Sequence, residues 1–98
     1  MAEAAVTKTK VSISADEGAF SGAVASEKAK CEADRRVSLF QQKGKSPNKT
    51  KDTRVGNDLS SDDGDWSVKT GKEGNFYARV NATKTCGDAR SKTVKSEE

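Results

Sequence analysis

Histidine is absent from all 98 residues. Its absence removes the one side chain that titrates near neutral pH unperturbed, the commonest metal ligand, and the base of every Ser/His or Cys/His nucleophilic pair. An enzyme is therefore not expected, and neither is a cofactor. Large apolar residues are scarce as well: Leu, Ile, Val and Phe together number 14, beside one Trp and one Tyr. No apolar run approaches the roughly 20 residues of a membrane span. The segment from Met1 to Lys10 also lacks the basic-then-apolar order of a signal peptide. Membrane insertion is not expected. The low apolar content would point to disorder if net charge were high, but 18 basic and 15 acidic side chains leave only +3. A chain of this length makes one domain with a small core, placed here at residues 6–95 between tails 1–5 and 96–98.

Two cysteines are present, Cys31 and Cys86, with no Cys-x-x-Cys and no second ligand cluster, so a zinc site is not expected. In a short chain with a thin core, a structural disulfide is the expected use, and it places the protein in an oxidising, extracellular compartment. Two buried free thiols of a cytosolic chain are the alternative. Closing so long a loop would stabilise the fold by about 4 kcal/mol in the chain-entropy view.

Strict alternation of apolar and polar residues, the mark of a strand with one buried face, recurs along the chain. Val11 and Ile13 alternate with Lys10, Ser12 and Ser14, followed by a turn at Ala15-Asp16-Glu17-Gly18. Phe20, Gly22 and Val24 share one face of the next run, and Val37 and Leu39 one face of the third. The segment from Lys43 to Thr53 holds the only proline, Pro47, and reads as a loop before a short run from Arg54 to Leu59. Ser60-Ser61-Asp62-Asp63-Gly64 is a turn in which Gly64 can take a positive φ, and it leads into Trp66-Ser67-Val68-Lys69-Thr70. After the turn Gly71-Lys72-Glu73-Gly74 comes the clearest strand, with Phe76, Ala78, Val80 and Ala82 inward and Tyr77 outward. A last run, Ser91 to Ser96, turns Val94 inward. Seven short strands separated by turn signals predict an all-β antiparallel sandwich. If each connection reverses the chain, Cys31 and Cys86 fall at one pole, beside the acidic turn. The basic loop then falls at the other pole.

Four runs taken together, Phe20-Ser21-Gly22-Ala23-Val24, Cys31 with Arg36-Val37-Ser38-Leu39-Phe40, Asp63-Gly64-Asp65-Trp66-Ser67-Val68 and Gly74-Asn75-Phe76-Tyr77-Ala78-Arg79-Val80, resemble the β-sandwich repeats of bacterial, especially actinobacterial, secreted and surface proteins. These repeats are related to carboxypeptidase-regulatory-like and prealbumin-like domains. The resemblance covers roughly residues 6–95. It implies an immunoglobulin-like or prealbumin-like fold, and a role as a spacer or adhesion module toward a protein or cell-surface polymer. Asp34 departs from the pattern by standing before Arg35 where a small turn residue, often Gly, is usual.

Three groups of side chains are candidate sites. Asp58, Asp62, Asp63 and Asp65 put four carboxylates in eight residues and are calcium candidates by donor type, although no glutamate closes them into an EF-hand loop and an ordinary acidic turn is the plainer reading. Lys43, Lys45, Lys49, Lys51 and Arg54 crowd the longest loop, offset only by Asp52, and form a candidate polyanion contact. They lack the interleaved aromatics that single-stranded nucleic acid would need for stacking, so nucleic acid is not expected. A solvated loop is their plainer reading. Phe40 and Tyr77, out of phase with their inward neighbours, are a candidate exposed aromatic contact. Self-association through an edge strand such as Val6 to Ser14, giving a filament, is the alternative function.

Overall fold

Phe20 and Phe76 come from different runs of alternating sequence, and their ring centroids lie 4.6 Å apart, tilted by 50°. They mark where two sheets face each other. The computed structural model describes residues 7–16, 19–48, 50–71 and 73–96. It contains nine strand segments: β1 (Thr9–Val11), β2 (Ser14–Asp16), β3 (Ala19–Ser26), β4 (Arg36–Gln41), β5 (Thr53–Leu59), β6 (Asp65–Lys69), β7 (Gly74–Val80), β8 (Ala89–Arg90) and β9 (Val94–Ser96). A 3₁₀ turn, Ala29–Cys31, lies between β3 and β4. One sheet has β3 at its centre, with β1 and β2 on one side and β6 on the other. The second runs β5-β4-β7-β8, with β9 also on β7. All strand pairs are antiparallel. This is the expected all-β sandwich with one disulfide.

The count of nine against the expected seven has a local cause at two serines. β1 and β2 pair with β3 in one continuous register, Val11 opposite Val24 and Ser14 opposite Ser21. The ladder is interrupted where Ser12 donates its N–H to Ala23 O while its hydroxyl, not its carbonyl, accepts from Ala23 N–H. On the other sheet Ser91 does the same to Ala78, donating N–H to Ala78 O and accepting Ala78 N–H with Oγ. There the register slips by one residue between β8 and β9, as at a β-bulge. Each broken pair is thus one edge strand with a serine hydroxyl in the place of a backbone carbonyl. The displaced Ser12 carbonyl lies over Gly22, where an added Cβ would stand only 1.9 Å from its oxygen, so no larger residue fits.

Val11, Ile13, Phe20, Val24, Val37, Leu39, Trp66, Val68, Phe76, Ala78 and Val80 form the core, which Ala15, Val55, Ala89 and Val94 flank. Full burial of each large member contributes roughly 2 kcal/mol. Trp66 and Val68 point inward as their phase predicts. Two expectations need correction. Ala15 and Asp16 belong to β2 rather than to a turn, with Glu17 and Gly18 outside the described residues. Ala82 is exposed, not inward, because β7 ends at Val80 and the chain turns there, with Thr83 N–H bonded to Cys86 O. Gly64 does adopt a positive φ, 91°. Its carbonyl accepts from Val24 N–H, tying the acidic turn to β3.

Cys31 and Cys86 are joined in a disulfide with their α-carbons 5.5 Å apart. Both are buried, and the bond ties the connection after β3 to that after β7 at one pole. Asp34 stands at φ 55°, the left-handed conformation for which Gly is the usual residue and Asp a tolerated one. The turn it makes drives Arg35 inward.

Candidate polyanion-contact site

The loop between β4 and β5 is fastened from within by its single acid. Asp52 is buried beneath the loop. Its Oδ1 accepts from Lys43 N–H at 2.9 Å, while Oδ2 accepts from Asn48 N–H at 2.7 Å and from the Tyr77 hydroxyl at 2.6 Å. Asn48 makes a second node: its carbonyl accepts from the N–H groups of Lys51 and Asp52, and its Oδ1 from Thr50 N–H and Oγ1. These short-range bonds are the local contacts by which Asn and Asp favour turns over ladders. They fix the backbone of a loop that composition alone would leave loose.

Burial pushes the Asp52 carboxyl up. The Tyr77 hydroxyl, the two backbone N–H donors and the Lys43 charge outweigh it and hold the acid below its ordinary value. Tyr77 moves the other way, pushed up to about 12 by burial, by donating to Asp52 and by that carboxylate's charge, against the smaller pull of Arg79 and Arg90. A depressed acid stabilises the fold above its unfolded pKa of roughly 4, and the effect is lost as pH falls through the lower folded value. A raised phenol stabilises the fold below roughly pH 10, and the effect is lost as pH rises through the folded value. Asp52→Asn is therefore expected to cost about 2 kcal/mol at neutral pH in urea unfolding. Tyr77→Phe is expected to reduce the loss of melting temperature between those two alkaline values. If Tyr77→Phe melts with the wild-type pH profile, the pair does not anchor the loop.

Lys43, Lys45 and Lys51 line an open cavity of about 350 Å³ together with Gly44, Ser46, Pro47, Asn48 and Asp52. Lys49 lies outside the described residues. Arg54 stands apart on β5, opposite Phe40. The exposed aromatic contact expected at Phe40 and Tyr77 is corrected. Tyr77 does point away from the core, yet it is 0% exposed because the Asp52 loop closes over it. Phe40 is half-buried and stacks on Tyr77, with centroids 5.5 Å apart and planes within 8°. The four aspartates do not converge. Asp58 lies on β5 and accepts from Ser67 N–H, and Asp62, Asp63 and Asp65 are exposed around the turn. Among the described residues no group of three or more His, Cys, Asp or Glu side chains could hold a metal ion. Of the edge run Val6 to Ser14, Val6 lies outside the described residues; Thr7 bridges Cys86, and β1 and β2 lie against β8 and β9.

The residue that the sequence gives no sign of is Arg35. It is 2% exposed, and among the described residues no carboxylate pairs with it. Its Nη1 donates to Cys31 O at 2.8 Å and Thr9 Oγ1 at 3.2 Å, and its Nη2 to Asn81 O at 2.8 Å and Gly87 O at 2.7 Å. Among the described residues Nε finds no partner. Burial lowers the guanidinium's pKa. Three carbonyl dipoles take the part of a counter-ion here, and the side chain bonds across the same two connections that the disulfide joins.

No protein-family model, curated protein or solved structure matches the chain. Among the described residues no helix is long and apolar enough to cross a membrane.

Proposed function

We propose that the protein is a non-enzymatic extracellular structural or adhesion module, of the kind found in bacterial surface β-sandwich repeats, that spaces other parts or binds weakly through its surface. The observation that carries this reading is the Cys31–Cys86 disulfide, which lies buried at one pole of a sandwich with a thin core. Disulfides persist in oxidising compartments, and small domains there rely on them. A sandwich whose one buried acid among the described residues is spent on holding a loop suits spacing and surface contact better than catalysis.

Fractionation of the source cells with thiol alkylation tests the location. Recovery outside the cytosol with neither cysteine alkylated is expected, and recovery from the cytosol with both alkylated overturns the reading. Sedimentation velocity tests the assembly. A monomer over a wide concentration range is expected, because β1 and β2 lie against β8 and β9. Growth into long polymers would favour a filament subunit built by edge-strand pairing.

A further inference from the structure

The lysines and arginines of this chain are distributed differently. Among the described residues, lysines such as Lys10 and Lys69 decorate the four-stranded sheet, Lys95 lies on β9 of the five-stranded sheet, and others lie in the loops. Of the five arginines, Arg35 is buried and the remaining four, Arg36, Arg54, Arg79 and Arg90, all lie on strands of the five-stranded sheet. They also share its outer face. Val37, Leu39, Ala78 and Val80 are in the core, so Arg36, Ser38, Phe40 and Arg79 face outward by alternation. The register then places Arg79 opposite both Ser38 and Arg90, and Arg54 opposite Phe40. The charges of Arg79 and Arg90 both reach the Tyr77 hydroxyl, which agrees with this placement.

Among the described residues little negative charge balances this face. Asp88, 65% exposed, lies 3.9 Å from Arg79. Asp52 is occupied by three donors beneath the loop, and Asp58 by Ser67. From β5 to β8 the arginines extend across three strand spacings, about 14 Å, with the Lys43 and Lys45 loop beside Arg54. We propose that this outer face binds a linear sulfated polysaccharide, which lies across the β5-β4-β7-β8 strands with its sulfates on the guanidinium groups.

Charge complementarity and the shape of the face select that occupant. Guanidinium is weakly hydrated and offers paired N–H donors to an oxyanion in a fixed plane, which suits sulfate groups repeated along a chain. Outside the part at Tyr77 that the Asp52 loop covers, the face is a sheet surface, so it fits a polymer laid across it. Single-stranded nucleic acid would need free aromatic faces for its bases, but Tyr77 is fully covered and stacks on Phe40. A membrane surface would need apolar side chains to insert. Among the described residues Leu59, 51% exposed, is the one large apolar side chain available. The inference goes beyond the spacer reading and does not depend on it.

Fluorescence anisotropy with labelled dextran sulfate at low salt tests the proposal on the intact chain. Arg54→Gln with Arg90→Gln is expected to weaken binding about tenfold, from loss of two charge-assisted contacts. Lys10→Gln with Lys69→Gln, which removes equal charge from the opposite sheet, is expected to weaken it less than about threefold through general electrostatics. Arg54→Lys with Arg90→Lys keeps the charge without the fork and is expected to fall between them. Absence of binding by the wild type, or equal losses in the arginine and lysine pairs, overturns the site. Lysine variants that bind like wild type overturn the role of the guanidinium geometry. Equal competition by polyglutamate overturns the sulfate assignment, and tighter binding of a thymidine oligonucleotide overturns it in favour of nucleic acid. All three variants change exposed strand positions and are expected to keep the wild-type circular dichroism spectrum; should either arginine pair unfold, Arg54→Gln alone, expected to weaken binding about threefold while Lys69→Gln alone weakens it by less than about half that, decides between site and no site.

Discussion

Cys31→Ala together with Cys86→Ala is expected to lower the unfolding free energy by about 4 kcal/mol, measured by urea denaturation against the oxidised wild type. The magnitude follows from the 55 positions that separate the two cysteines, since a crosslink restricts the unfolded chain more as the loop it closes grows. For a domain this small the whole margin of stability is of similar size, so the variant should be largely unfolded at physiological temperature. Addition of reductant to the wild type should reproduce the effect. A wild-type melting curve that reductant leaves in place would remove the main physical support for an oxidising compartment.

Arg35→Met is the second large effect, an expected loss of about 3 kcal/mol. Methionine approximates the arginine stem but leaves the carbonyls of Cys31, Asn81 and Gly87 without their donor. Each buried acceptor left bare costs roughly 1–3 kcal/mol, and relief of the buried charge returns part of the sum. Arg35→Lys should recover only a fraction, because one ammonium cannot reproduce the two-nitrogen fork. Urea unfolding of the Arg35 variant, of the double-cysteine variant and of their combination makes a cycle. The two devices join the same connections, so their effects are expected to be strongly non-additive. Additive losses would mean that the arginine stabilises something other than this junction.

The strands were legible because their information is local. Val37 with Leu39, Trp66 with Val68, and Phe76 with Ala78 and Val80 each declare a buried face by a period of two, and no other element is needed to read it. Tyr77 illustrates the limit of that reading. Its phase correctly turns it away from the core, but burial on the outer face depends on a loop 25 positions earlier, and alternation carries no term for such a cover. The one available signal was Asp52, the lone acid in a basic loop. Arg35 was illegible for a related reason. Its burial is decided by where the carbonyls of Asn81 and Gly87 arrive, 46 and 52 positions later. The arginine face is a product of register, since Arg54, Arg79 and Arg90 become neighbours only after β5, β4, β7 and β8 have paired. The disulfide was legible because counting strand reversals is enough to put both cysteines at one end.

The position of the disulfide also decides how the domain carries load. Strands β4, β5, β6 and β7 all lie between Cys31 and Cys86, whereas β3 precedes the first cysteine and β8 and β9 follow the second. Tension applied through β3 and β8 passes from one cysteine to the other along a covalent bond and bypasses the four strands between them. About 190 Å of extended chain is thereby withheld from stretching, and the arginine-bearing strands β4, β5 and β7 are shielded from the pull.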